Sequence, residues 1–232
     1  MLPRRAGSLL AVVLFAGPGL VACGGGSDES APELLSRAKK VLDGASSVHF
    51  VLDSEKVPGG VTGLLGGEGD LQRPASFEGA LRVVVAGSAV EVQVVSVDDT
   101  VYAQLPFTTD FSVIDPAEFG LSDPADLVDP ENGISQFLES AESPELGEER
   151  RLDGEVVREV TAEIPGDLVE QVLTSEDPSR PVQARFSIAT ESGELRRAEL
   201  TGPFFDGGDD ATYTIELSDF GADVEITAPS PG

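Results

Sequence analysis

Leu20, Val21, Ala22 and Cys23 are the residues of this chain whose types and spacing most directly specify chemistry. A signal peptidase that cuts before cysteine needs a small side chain just upstream, which Ala22 supplies, and a branched apolar residue three back, which Leu20 supplies. Cleavage between Ala22 and Cys23 makes Cys23 the new N-terminus, and the expected modification is a thioether-linked diacylglyceryl group. One acyl chain holds a protein only marginally, at ~0.8 kcal/mol per buried methylene, whereas two anchor it stably. Upstream lie Arg4 and Arg5, an apolar run from Leu9 to Ala16 and a Gly17-Pro18-Gly19 break, which is the layout of a secretory signal. The apolar run is far shorter than the ~20 residues a spanning helix requires, so it reads as a cleaved leader. Cys23 is the only cysteine, so no disulfide can form within the chain.

Catalytic patterns are missing from the rest of the sequence. There is no Gly-x-Ser-x-Gly elbow, no His-Glu-x-x-His, no Cys-x-x-Cys, no P-loop and no Rossmann glycine pattern. His49, the only histidine, has no nucleophile motif beside it and reads as a strand histidine at the surface. Carboxylates are so abundant that a glycosidase-like pair could always be chosen, so their presence discriminates nothing. Asp115-Pro116, Asp123-Pro124 and Asp129-Pro130 each offer an N-cap carboxylate followed by a proline at the first helical position. A calcium loop is the other use for such acids, but the spacing Asp129, Glu131, Gly133 does not fit an EF-hand. The sequence therefore predicts no enzyme, no catalytic residue, no metal and no cofactor apart from the diacylglyceryl group on Cys23.

Residues 1–22 hold two of the 15 basic residues and no acid, so the remainder carries 13 basic against 42 acidic side chains. That balance excludes nucleic acid as a partner. It also excludes electrostatic docking on anionic lipid, leaving the acyl anchor to do the tethering. An acidic surface also keeps a secreted domain soluble. The predicted organisation is a cleaved signal peptide at 1–22, a lipidated cysteine and flexible tether at 23–31, and a single domain at 32–232. Gly24 to Ser30 reach roughly 25 Å at most, which keeps the domain near the headgroups. With no tryptophan and few aromatics, Val, Leu, Ile and Ala must fill the core.

Ser30 to Glu33 reads as a capping box, and Leu34, Leu35, Ala38, Val41, Leu42 and Ala45 recur at helical spacing. The pattern switches to period two at Val48 to Glu55, with Val48, Phe50 and Leu52 on one face. Phe77 to Ala86 and Ala89 to Val97 predict a hairpin about Gly87-Ser88, and Asp98-Asp99 turns the chain into a strand at Thr100 to Leu105. The Asp-Pro region predicts helices, the clearest carrying Ile134, Phe137, Leu138 and Ala141. Strands return at Leu152 to Ile164, then a short helix at Pro165 to Leu173, then strands at Pro181 to Thr190, Leu195 to Thr201, Tyr213 to Leu217, and a last one bearing Val224 and Ile226. Strands, then helices, then strands, joined by turns too short for parallel crossovers, predict an α+β fold: a large curved antiparallel sheet with helices on one face.

The dry face of such a sheet either closes on a solid core or leaves an apolar cavity, and periodicity leaves both open. The loop from Val57 to Gly67 carries Val61, Leu64 and Leu65, which a purely solvated loop would not need. It reads either as a core plug or as a gate over a ligand site.

The chain resembles the actinobacterial lipoproteins related to mycobacterial LprG, LprA, LprF and LppX. The resemblance rests on the lipobox at Cys23, Ser47-Val48-His49-Phe50, Val57-Pro58-Gly59, Gly67-Glu68-Gly69-Asp70-Leu71, Gly79-Ala80-Leu81 and Asp98-Asp99-Thr100-Val101-Tyr102-Ala103. It rests further on Ile114-Asp115-Pro116-Ala117, on Leu127 to Ile134, and on Leu217 to Gly221 through Val224-Glu225-Ile226. It implies a half-barrel sheet with helices on its concave face, enclosing a cavity for acyl chains of lipids or glycolipids. It further implies carriage of that cargo from the plasma membrane toward the outer envelope, with the protein lipid-anchored on the extracytoplasmic face and a transporter as a partner. By position Leu81 matches a family residue at the cavity mouth, with Val83 and Val85 on the wall; Val92 and Val94 of the facing strand are expected to complete it. The rival expectation is an envelope binding or sensory lipoprotein with a filled core that recognises a protein partner. The chain departs from the family pattern in its acidity, its lack of tryptophan and a longer stretch between Leu105 and Asp129.

Overall fold

The structure is a computed structural model that describes residues 29–85, 87–119, 121–205 and 209–230. The expected cleavage site and anchor, Ala22 and Cys23, lie outside the described residues, and the side chain of Val85 is not described.

A helix, α1 (Ala31–Gly44), opens the described chain. At its start the Ser30 amide and hydroxyl both donate to the Glu33 carboxylate, at 2.9 and 2.6 Å. The hydroxyl bond first and the amide bond second hold the Glu33 carboxyl below the usual carboxylate range. Leu34, Leu35, Ala38 and Leu42 are buried, so the expected apolar stripe is the face that packs on the sheet.

Eleven strands follow: β1 (Ser47–Glu55), β2 (Gly63–Gln72), β3 (Ser76–Val85), β4 (Ser88–Val97), β5 (Thr100–Gln104), β6 (Ser112–Ile114), β7 (Glu142–Leu152), β8 (Glu155–Ile164), β9 (Val182–Ala189), β10 (Leu195–Gly202) and β11 (Ala211–Ser218). They form one open sheet in the order β6-β5-β4-β3-β2-β1-β11-β10-β9-β8-β7. Every neighbouring pair is antiparallel. Six strands run outward from β1, the chain crosses back under the sheet, and five strands return until β11 closes on β1. Tight turns make this meander possible: Asp98 and Asp99 take φ of 52° and 56° between β4 and β5, and Asp153 and Gly154 take 49° and 93° between β7 and β8. These left-handed pairs match the twist of the flanking strands.

Between β6 and β7 lie two single 3-10 turns, Pro116–Phe119 and Pro124–Val128, and α2 (Ser135–Glu139); α3 (Gly166–Glu170) follows β8. The three Asp-Pro pairs do cap: Asp115 accepts from the Ala117 amide at 3.0 Å, Asp123 from Ala125 at 2.9 Å, and Asp129 from Glu131 and Asn132 at 2.6 and 3.0 Å. The capped segments are single turns, and the helix expected after Asp129 starts only at Ser135. Arg73 locks this layer down. Its guanidinium donates to the carbonyls of Ala45 and Leu42, both at 3.1 Å, and to that of Val128, joining the end of α1 to the second 3-10 turn.

Several elements differ from the sequence reading, among them β6, a strand where none was expected. Residues 63–67, expected in a loop, belong to β2, whose glycines dilute its strand character. There Gly69 pairs with Gly79, and a Cβ on Gly69 would lie 2.6 Å from the Phe77 ring. The edge strand β7 has no buried residue and is interrupted by two bulges, so it shows no apolar alternation. The expected last strand at Val224 and Ile226 is not a strand. Instead the Gln72 side-chain amide donates to the Val224 carbonyl at 2.5 Å and accepts from the Ile226 amide at 3.2 Å, holding the segment over the sheet without a ladder.

Candidate functional site

Under β3, β4 and β5 the concave face is not filled. A cavity of about 460 Å³ lies there, within the roughly 300–1,000 Å³ of small-molecule sites. Its wall is built by strand alternation: Leu81 and Val83 from β3, Val92 and Val94 from β4, Val101 and Ala103 from β5. Across the sheet Leu81 pairs with Val92 and Val94 with Ala103, so branched and small side chains alternate and leave the space between them. The opposite side is a lid from the segment between β5 and α2, contributing Ile114, Pro116, Phe119, Leu121 and Pro124. Ser96, buried on β4, donates to the Asp123 carboxylate at 2.9 Å, tying the lid to the wall.

A second, tighter cavity of about 80 Å³ continues beneath β1, β2 and β11, bordered by Phe50, Leu71, Ile215 and Leu217. Both cavities share Leu81, Thr62, Gly63, Leu121, Ser122 and Pro124, so Leu81 stands where one passes into the other. Phe204, Phe205 and Tyr213 close the second cavity, with the Phe204 and Tyr213 rings edge-to-face at 4.9 Å. The Tyr213 hydroxyl donates to the Leu64 carbonyl, and burial pushes its pKa up, so it stays a neutral donor. At the outer end Leu105 and Phe119 line the larger cavity while remaining 40% and 46% exposed. The apolar lining thus runs out to solvent at that end.

Of the expected wall residues, Leu81, Val83, Val92 and Val94 come together on the larger cavity, but Leu81, expected at the mouth, is buried at the junction with the smaller one; Val85 lies at the end of β3. The expected gate divides. Leu64 borders the smaller cavity, whereas Val61 and Leu65 line a separate groove of about 310 Å³ with Arg82 and Ala89. The cause is a bulge: Leu64 pairs with Val83 and Gly66 with Arg82, so Leu65 is the extra residue and turns away. Leu64 and Leu65 are strand residues, and the segment facing the cavity is Thr62-Gly63 together with the lid. Sequence reasoning missed the lid, although Leu105, Ile114, Phe119 and Leu121 are more apolar residues than a solvated linker needs. His49 pairs with Asp70 at 2.8 Å on strands β1 and β2 and does not border either cavity. Among the described residues no group of three or more His, Cys, Asp or Glu gathers as metal ligands would, and no helix is long and apolar enough to cross a membrane.

An open antiparallel sheet, packed on a solid core over most of its face and lidded over an unfilled apolar space under β3 to β5, defines an α+β class of fold. The sequence profile of the LppX_LprAFG lipoprotein family matches residues 30–226, and the chain belongs to that family. In structure it is similar to LprF from Mycobacterium bovis, with 19% identity over 87% of this chain and 97% of that one and a TM-score of 0.72. It is similar also to the lipoprotein LppX of Mycobacterium tuberculosis, with 18% identity over 87% of this chain and all (100%) of that one and a TM-score of 0.63. No curated protein is significantly similar to it in sequence.

Proposed function

We propose that this protein is a lipid carrier of the cell envelope, anchored by diacylglyceryl on Cys23 to the extracytoplasmic face of the plasma membrane. Its cargo is the acyl chains of membrane lipids or glycolipids, which it moves toward the outer envelope, handing them to or from a transporter. The supporting observation is the 460 Å³ cavity walled by Leu81, Val83, Val92 and Val94, which opens between Leu105 and Phe119. Acyl chains would lie along that wall and headgroups would stay at the mouth. Each methylene moved from water into such a space contributes ~0.8 kcal/mol, so one chain supplies several kcal/mol without any polar contact. Membership of a lipoprotein family supports the anchor, as does the position of the chain's lone cysteine. The reading assigns no catalytic step to the chain.

The test is lipid uptake by the chain from residue 23 onward carrying Cys23→Ala, which contains every described residue. Saturable binding of a fluorescent fatty acid, displaced by a diacyl lipid, is expected. Absence of binding across several chain lengths contradicts the reading.

A further inference from the structure

The turn between β5 and β6 presents an aromatic residue in an unusual way. The Thr108 amide donates to the Leu105 carbonyl at 3.0 Å, with Pro106 and Phe107 between them. Phe107 takes φ of 71°, the third position of a type II turn, where glycine is the usual occupant. A bulky side chain there is an outlier, because its Cβ crowds the neighbouring backbone in the left-handed region. Phe107 is also fully exposed. The turn is nonetheless fixed: the Thr108 hydroxyl donates to the Leu105 carbonyl at 2.7 Å, and the Gln104 side chain donates to the Thr109 carbonyl at 2.9 Å. A strained backbone that places a phenylalanine wholly in water gains nothing for the fold.

What lies beside it gives the occupant. Leu105, in the same turn, and Phe119 both line the larger cavity and both reach solvent, so the apolar lining of the cavity comes to the surface at the turn that carries Phe107. Between Arg82 and Arg150 the sequence has no lysine or arginine, while Asp110, Asp115 and Glu118 flank the turn and lid. A surface that is apolar at its tip and acidic around it fits an uncharged or zwitterionic bilayer and is repelled by an anionic one. The strand register places the β9–β10 turn at the opposite end of the sheet from Phe107, and α1 begins beside that far turn, where Arg37 reaches the Thr190 carbonyl. An anchor attached before α1 therefore does not by itself seat the Phe107 end on a membrane.

We infer that Phe107 is a membrane-inserting tip that docks the cavity mouth on a zwitterionic bilayer surface. The inference rests on the lipid-carrier reading, because it gives the cargo its apolar path from bilayer to cavity. It assigns a contact role to a residue that touches neither cavity.

The test is flotation of the Cys23→Ala chain from residue 23 with phosphatidylcholine vesicles, and with vesicles in which part of the phosphatidylcholine is replaced by phosphatidylglycerol. The chain is expected to float with phosphatidylcholine and less well with phosphatidylglycerol. Phe107→Gly is expected to lower partitioning about tenfold or more, the equivalent of one phenylalanine withdrawn from lipid. Its melting temperature should stay the same or rise, since glycine suits the turn. Undiminished flotation of Phe107→Gly overturns the tip. So does self-association through Phe107 without flotation, which would make a second copy the occupant. A chain that takes up fatty acid but does not float also overturns the tip and leaves the cavity reading standing. A chain that floats through Phe107 but takes up no fatty acid supports the tip and contradicts the cavity reading.

Discussion

Ser96 on the wall and Asp123 on the lid are joined by a 2.9 Å hydrogen bond, and the other oxygen of the same carboxylate caps the 3-10 turn at Pro124–Val128. One side chain thus sets both the local conformation of the lid and its distance from the sheet. Ser96 is 1% exposed, so its hydroxyl has no access to water as an alternative partner. Ser96→Ala should lower stability by about 1.5–3 kcal/mol, the usual range for a hydrogen bond to a charged group. On the carrier account it should also speed the exchange of bound fatty acid. Urea denaturation and stopped-flow fluorescence measure the two effects; faster exchange without loss of stability would break the proposed link between them.

Val92 faces the larger cavity, so Val92→Phe adds ring volume to empty apolar space and not to a packed core. Stability should be unchanged or higher, and fatty-acid capacity should fall. Leu81→Arg, at the junction of the two cavities, should abolish uptake while the far-ultraviolet circular dichroism stays that of a sheet protein. Uptake retained by both variants would contradict the proposed wall.

Asp126 sits in the 3-10 turn between two capping acids, Asp123 and Asp129. Partial burial first, then the charges of Asp123, Asp129 and Asp99, push its carboxyl above the ordinary range. The folded chain therefore holds that proton more tightly than the unfolded chain, so protonation stabilises the fold. That contribution is complete below the unfolded pKa and is lost as pH rises through the raised folded value. At pH 7 Asp126 is a net liability, and Asp126→Asn should raise the melting temperature modestly there. The gain should disappear in acid below the ordinary carboxylate range and shrink in high salt. Thermal melts across pH check it; a gain that persists unchanged in acid would be the contrary result.

Gly79 pairs with Gly69, and a Cβ on Gly79 would lie 2.7 Å from the Gly69 Cα and 2.8 Å from the Phe77 ring. Gly79→Ala should destabilise the domain by about 1–3 kcal/mol through overpacking against backbone and a fully buried ring that cannot retreat. Chemical denaturation measures it, and a neutral result would mean that β2 and β3 can part locally.

The strands with one dry face were legible in the sequence because Val48, Phe50 and Leu52, or Val182, Ala184, Phe186 and Ile188, alternate without interruption. β2 was hidden because Gly63, Gly66, Gly67 and Gly69 remove side chains from the pattern, and the last three answer to cross-strand contacts that no local rule contains. β7 was hidden for the opposite reason: an edge strand wet on both faces has no apolar period to read. Val224 and Ile226 do alternate, but the side chain of Gln72 has taken their backbone groups, which only the tertiary structure discloses. At the site, Leu81, Val83, Val92 and Val94 were legible as a dry face. That the face borders empty space depends on where the lid stops, and the single-turn helices after Asp115 and Asp123 fix that point.

The most direct test of the carrier account is mass spectrometry of organic extracts from the Cys23→Ala chain, purified without its leader from its own or a related host, beside a mock purification. The account predicts a diacyl or more highly acylated lipid at near stoichiometric amount, and its loss from Leu81→Arg. A clean extract from protein that also refuses added lipid would contradict it.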